Sequence, residues 1–210
     1  MAVTKLTKMI SPSVIESISV AIIESMSDSR EKFHEVVDQS SLNLDFPVVV
    51  GLGGNIGATL EIFSQVLGDF RQKFTVAAIS ELYRSAPIGP DQADFLNGAL
   101  LLNFEGDLEA LLVQLHELEA KYRRVREFRW GPRTLDLDIL WAGERMHQSC
   151  TLVVPHRELL QRSFALLPLL DLVPAAIDPQ LGIPYRAIAE ELKCQRIERI
   201  SAIAWSKAMQ

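Results

Sequence analysis

The chain has 210 residues, enough for one domain of ordinary size with its own core and some chain to spare. It is 48% hydrophobic and 23% charged, the balance of a soluble globular protein, and no apolar run reaches the roughly 18 residues needed to span a bilayer. A net charge of −6 argues against nonspecific nucleic-acid binding as the main task.

Residues 1–45 form a segment apart. Apolar residues at helical spacing (Val14, Ile15, Ile18, Ile22, Ile23) predict an N-terminal extension that is helical or partly disordered, with Ser11 or Ser13 as a cap near Pro12. Lys5 and Lys8 precede an apolar stretch that Glu16 and Glu24 interrupt. A secretory signal has a continuous core and a small-residue cleavage site, so the expected location is cytoplasmic. The main domain is expected over 46–200, with a C-terminal tail at 201–210. It opens on Val48-Val49-Val50-Gly51-Leu52, a short apolar run that predicts a buried strand. The glycines of Gly51-Leu52-Gly53-Gly54-Asn55-Ile56-Gly57 allow a tight turn into a helix from Ala58 to Gly68, with Asn55 as helix cap or ligand contact. Neither the P-loop pattern nor the Rossmann pattern fits these glycines.

Phe74–Tyr83 reads as a second strand, Ser85–Asp94 as a loop with Pro87, Gly89 and Pro90, and Phe95–Phe104 as a third strand. Asp107 caps a helix reaching Arg124, its core side carrying Leu111, Leu112, Leu115 and Leu118. A basic segment follows. Lys121, Arg123, Arg124, Arg126, Arg129 and Arg133 are interrupted by one acid, Glu127, which suits a compact polyanion such as a nucleotide's phosphates. Thr134–Trp141 is the fourth strand. The order βαββαβ is that of the ferredoxin-like arrangement, an α+β fold whose antiparallel sheet is covered by helices on one face. A hairpin, Pro155-His156 and a helix over Ser163–Leu172 come next, and Pro174, Pro179 and Pro184 break up the tail. Cys150 and Cys194 lack metal-site or disulfide-framework spacing and are expected as buried or half-buried thiols.

Chemistry concentrates at Leu135-Asp136-Leu137-Asp138-Ile139. Strand periodicity puts both carboxylates on one face, about 7 Å apart at the Cα atoms, while the apolar residues face the core. A hard cation relieves the repulsion between them, and Mg²⁺ characteristically takes one or two carboxylates plus substrate phosphates. Guanidinium groups suit phosphate oxygens, and Trp130 offers a face for a flat ring. Cations on phosphates beside acids on a metal are the phosphoryl-transfer set.

The run Arg129-Trp130-Gly131-Pro132-Arg133-Thr134-Leu135-Asp136-Leu137-Asp138-Ile139 closely resembles the signature of the 6-hydroxymethyl-7,8-dihydropterin pyrophosphokinases of folate biosynthesis. Gly53-Gly54-Asn55, Tyr83-Arg84-Ser85, Pro87-Ile88-Gly89-Pro90, Phe95-Leu96-Asn97, Pro155-His156 and Arg162-Ser163-Phe164 extend the likeness in order from Val48 to Pro174. The resemblance implies a Mg²⁺-dependent transferase that moves pyrophosphate from ATP to the pterin alcohol and releases AMP. It implies two Mg²⁺ ions on Asp136 and Asp138, and catalytic roles for these aspartates with Arg126 and Arg133. By the same likeness Arg124, Arg126, Arg133, His156 and Arg162 contact ATP, with Glu119 and Ile139 near adenosine. Phe164 and Trp130 would sandwich the pterin, Asn97 and the backbone of Ser85, Ala86 and Ile88 would bond its edge, and Phe95 would lie alongside. Loops 85–94 and 124–134 would close over the reactants and exclude water.

The implied partners are small molecules, with no nucleic acid or membrane, in a monomer or homodimer. Gly54 stands where the family usually has Ser, Ser85-Ala86 replaces Thr-Pro, Phe95 replaces Tyr, and His116 stands where Gln contacts adenine. These departures bear on affinity more than on reaction type. Two other readings remain open on the residues alone: another ferredoxin-like nucleotidyl or phosphoryl transferase, and an RNA-binding module, against which the acidic sheet face argues.

Overall fold

The computed structural model describes residues 44–122 and 131–200. Nearly all of the expected N-terminal extension, the 201–210 tail, and Arg124, Arg126 and Trp130 lie outside the described residues.

Among the described residues, eight strands and four α-helices follow in the order β1 Pro47–Gly54, α1 Thr59–Lys73, β2 Thr75–Ile79, β3 Leu82–Ser85, β4 Phe95–Asn103, α2 Leu108–Lys121, β5 Asp136–Trp141, β6 His147–Gln148, β7 Val153–Val154, α3 Ser163–Leu172, α4 Tyr185–Glu191 and β8 Ile197–Ile200. The main sheet runs β5-β1-β4-β3-β8, antiparallel throughout, and β2 pairs with β4 beside β3. β6 and β7 form a separate hairpin.

Local sequence accounts for most of these elements. α1 buries Phe63, Val66, Leu67 and Phe70, one helical stripe; it runs past Gly68 to Lys73 because Phe70 continues that stripe beyond the expected stop. Asp107 caps α2 as expected, its Oδ2 accepting from the Ala110 N–H at 3.0 Å. The strand expected over Phe74–Tyr83 is broken in two at Ser80–Glu81. There the Ser80 hydroxyl accepts from the Ala99 N–H at 2.8 Å, replacing a ladder bond.

Alternation along β1 sends Val48, Val50 and Leu52 to one face and Val49 to the other. The first face is covered by α1 and α2. The second is covered by α3 and α4, through Leu166, Leu169, Tyr185 and Ile188. Helices therefore cover both faces, not one, because Leu101, Ala99 and Leu140 make the second face apolar as well. The tail is also more ordered than its prolines predict: α4 packs into this second core, and β8 extends the sheet beside β3. Cys150 and Cys194 are exposed free thiols, correcting the expectation of buried ones. Among the described residues, no helix is long and apolar enough to cross a membrane.

Candidate active site

Sheet register builds the floor of the site. Asp136 of β5 pairs with Gly53 of β1, which pairs with Asn97 of β4; one step along, Asp138 pairs with Gly51, which pairs with Ala99. Residues paired across antiparallel strands share a face. The two carboxylates and the Asn97 amide thus flank a strip of β1 that carries no side chains on that face. A Cβ at Gly53 would stand 3.6 Å from Asn97 Oδ1 and 3.8 Å from Asp136 Cβ. These glycines, read from sequence as turn formers, are the floor of a cavity. The signal that could have found them is their two-residue spacing in a strand, matching that of Asp136 and Asp138.

The cavity is lined by Gly51, Leu52, Gly53, Ser85, Ala86, Ile88, Phe95, Asn97, Gly98, Arg133, Asp136, Asp138, Leu140, Arg162, Phe164 and Ala165. Its walls come from the loop after β3, the start of β4, the entry to β5 and the first turn of α3. The buried Asn97 side chain donates through Nδ2 to Ser85 Oγ at 3.0 Å and to the Tyr83 carbonyl at 3.4 Å. That fixes the amide so that Oδ1 is the acceptor on the floor side.

Charge is arranged in cation–acid pairs. Arg133 Nη1 is ion-paired with Asp136 Oδ2, and the Arg133 guanidinium lies 5.9 Å from the centroid of Phe95. Arg162 is ion-paired with Glu158 and lies 5.6 Å from the centroid of Phe164. Burial lowers the Arg162 pKa, while Asp138 and Asp136 oppose that effect. His156 is pushed down to about 4, first by burial and then by Arg162 and Arg157, so the ring is neutral at pH 7. Its Nδ1 accepts from the Glu158 N–H at 3.3 Å, which leaves Nε2 as the protonated donor.

Asn55 does not cap α1, correcting that part of its expectation: the N-cap is Ala58, without a side-chain cap bond. It ties three segments together instead. Its Oδ1 accepts from the Arg133 N–H at 2.9 Å, and its Nδ2 donates to Gln92 Oε1 at 3.1 Å and to the Ala93 carbonyl at 3.0 Å. The N–H groups of Asn55 and Ile56 both donate to the Arg133 carbonyl.

Of the expected site residues, Ser85, Ala86, Ile88, Phe95, Asn97, Arg133, Asp136, Asp138, Arg162 and Phe164 meet at this one cavity. His156 stands outside its lining, with its N–H bonded to the Leu140 carbonyl of β5. Glu119 of α2 and Ile139 of β5 are buried; Glu119 Oε1 accepts from the Leu137 N–H at 2.7 Å. Asp136 and Asp138 are the carboxylates here that could hold a hard cation. Among the described residues, no group of three or more His, Cys, Asp or Glu could do so.

Residues 49–174 match the family model described as 7,8-dihydro-6-hydroxymethylpterin-pyrophosphokinase (HPPK). A 2-amino-4-hydroxy-6-hydroxymethyldihydropteridine pyrophosphokinase of Synechocystis sp. is 36% identical over 160 residues, 73% of this chain and 82% of the relative. One of the same name from Pseudomonas aeruginosa is 42% identical over 130 residues, 60% of this chain and 80% of the relative. Among solved structures, an HPPK-DHPS in complex with substrates has a TM-score of 0.57 at 12% identity. The wild-type HPPK-DHPS of Plasmodium falciparum has a TM-score of 0.56 at 14% identity. Each match covers 70% of this chain but only 43% and 41% of those longer chains, and at such identities it speaks for the fold alone.

Proposed function

The chain belongs to the 7,8-dihydro-6-hydroxymethylpterin-pyrophosphokinase family, and on that premise we propose that the cavity over Gly51 and Gly53 is its active site. The activity is that of the family: transfer of pyrophosphate from ATP to 6-hydroxymethyl-7,8-dihydropterin in folate synthesis. One observation carries the placement. Asp136 and Asp138 share a cavity with Arg133, Arg162, Asn97 and Phe164, so sites for a metal, phosphates and a flat polar ring adjoin.

Asp136 and Asp138 would hold Mg²⁺, two ions by the family likeness. Two carboxylates lining one cavity suit this hard ion, which would supply charge neutralisation on the triphosphate when bound. Arg133 and Arg162 present guanidinium groups to the same space and would bind phosphate oxygens, joined by Arg124 and Arg126. Neutral His156 would donate its Nε2–H to the nucleotide's phosphates. Because the Glu119 and Ile139 side chains are buried, we assign their part near adenosine to the β5 backbone that they hold or belong to.

On the pterin side, Phe164 would stack one ring face and Trp130 the other, with Phe95 alongside. Asn97 Oδ1 would accept from the ring edge, and the backbone of Ser85, Ala86 and Ile88 would complete the contacts. Positioning and charge stabilisation do most of the work in phosphoryl transfer, and loops 85–94 and 124–134 would exclude competing water.

We read the sheet as ferredoxin-like with β8 added, supported by the strand order β5-β1-β4-β3. Residues 1–45, 46–200 and 201–210 are kept as the proposed extension, catalytic domain and tail. A cytoplasmic enzyme acting as a monomer or homodimer on small molecules alone completes the reading, supported by an acidic chain with Arg133 and Arg162 at the cavity.

Asp136→Ala and Asp138→Ala test the placement. Each should lower the rate of AMP formation on the order of 10²–10³-fold with an unchanged circular dichroism spectrum. A variant turning over near the wild-type rate at ordinary Mg²⁺ overturns it.

A further inference from the structure

Gln195 lies beyond residue 174, where the match to the family ends, and no role above uses it. It stands between α4 and β8, its N–H donating to the Leu192 carbonyl at 3.0 Å. Its side chain reaches back to the start of α3. Oε1 accepts from the Ser163 N–H at 2.9 Å and from the Ser163 hydroxyl at 2.7 Å, and Nε2 donates to the Gln161 carbonyl at 2.7 Å. A backbone N–H only donates and a carbonyl only accepts, so these bonds fix which way the amide points.

The start of α3 needs that acceptor. The first N–H groups of a helix have no carbonyl of their own helix to bond. The N-cap of α3 is Arg162, which makes no side-chain cap bond. A cap is ordinarily a short polar side chain at the helix start; here the acceptor comes from Gln195, 32 residues further along the chain. Ser163 is buried, and its two neighbours, Arg162 and Phe164, both line the cavity. One amide therefore bonds residues 161 and 163, brackets Arg162, and holds the residue before Phe164. α4, packed in the second core, and β8, paired with β3, keep Gln195 in reach.

We infer that Gln195 is a positioning residue for Arg162 and Phe164: it caps α3 from the C-terminal segment and so sets where the guanidinium and the ring stand at the cavity. The inference rests on the phosphate-binding role proposed for Arg162 and the stacking role proposed for Phe164. Removing the amide frees the Ser163 N–H and the Gln161 carbonyl and lets this turn shift. Asn97, Asp136 and Asp138, on β4 and β5, keep their places.

The experiment is steady-state AMP formation by Gln195→Met, which keeps the length of the side chain and deletes its bonds, alone and in Arg162→Ala and Phe164→Ala backgrounds. Alone, it should lower kcat and raise the pterin KM, each on the order of 10-fold, as expected for misplacement by less than about 1 Å. In Arg162→Ala the same substitution should change kcat by less than about twofold, and in Phe164→Ala it should change the pterin KM by less than about twofold, because the misplaced group is gone. Gln195→Glu keeps an acceptor for Ser163, and a carboxylate is favourable at a helix N-terminus, so both constants should stay within about threefold of wild type. Lys193→Met, on the same segment but paired only with Glu190 at the surface, should leave both constants unchanged. Wild-type constants in Gln195→Met overturn the inference. So do equal losses in the truncated backgrounds, or a Gln195→Glu as impaired as Gln195→Met. If Gln195→Met does not fold, Gln195→Ala takes its place with the same expectations and the same refuting results. Arg162→Ala with wild-type kcat, or Phe164→Ala with wild-type pterin KM, would instead overturn the role proposed for that residue, and this inference for that residue with it.

Discussion

Asn55 is where the two loops that border the cavity are tied to β1, and removing its side chain should separate what each tie does. Asn55→Ala deletes an acceptor for the Arg133 N–H and donors to Gln92 and the Ala93 carbonyl, at 2.9, 3.1 and 3.0 Å. At about 0.5–1.5 kcal/mol net per hydrogen bond, three bonds set a ceiling of about 4.5 kcal/mol. The bond to Ala93 is exposed and water replaces it readily, so the expected loss is about 1–2 kcal/mol, mostly from the part-buried Arg133 N–H. The kinetic cost should be larger in proportion, on the order of 10²-fold in kcat, because the Arg133 backbone loses one of its ties. Asn55→Asp keeps an acceptor for Arg133 and loses both donors. It should hold kcat within about threefold while raising the pterin KM, since the 85–94 loop carrying Ile88 is untied. Urea unfolding and steady-state AMP formation on both variants give the answer. Wild-type kcat in Asn55→Ala, or equal kcat losses in the two variants, would refute the reasoning.

His156 makes stability depend on pH in a definite direction. Its folded pKa of about 4 lies below the ordinary 6.5, so the unfolded chain binds more protons between those values. The contribution is fully present above about pH 6.5 and is lost as the pH falls toward 4, by at most about 3 kcal/mol. His156→Gln should flatten the stability curve across that window; parallel curves for the two proteins would sink the assignment. Gly53→Val places a branched side chain on the bare floor between Asp136 and Asn97. It should abolish pterin binding in a calorimetric titration while leaving the fold intact, and undiminished affinity would show that the pterin lies elsewhere.

The parts of the fold legible in sequence are those with a local cause. Asp107 announces its helix through a side-chain cap, and the Leu111, Leu115, Leu118 stripe declares its buried face. The alternation of Asp136 and Asp138 with Leu137 and Ile139 was readable because strand periodicity alone separates the faces. What escaped was set by pairing over long distances. β8 is four residues of ordinary composition and becomes a strand by pairing with Leu82–Ser85, far away in the chain. Coverage of both sheet faces depends on α3 and α4 folding back onto Val49, Leu101 and Leu140. The same holds at the site. Phe95, Asn97, Arg162 and Phe164 could be named from motif likeness, but the role of Gly51 and Gly53 as floor depends on β1 lying between β5 and β4 in one register. Of the two expectations for Asn55, helix cap or ligand contact, the cap does not form, because a cap is a local expectation and the side chain bonds to loops distant in sequence.

The central claim is best tested with the purified protein, ATP, Mg²⁺ and 6-hydroxymethyl-7,8-dihydropterin, following nucleotide and pterin products by chromatography with mass detection. The account predicts AMP and the pterin diphosphate in equal amounts, with AMP formation strictly dependent on the pterin. Release of ADP, or AMP formation at the same rate without the pterin, would contradict it.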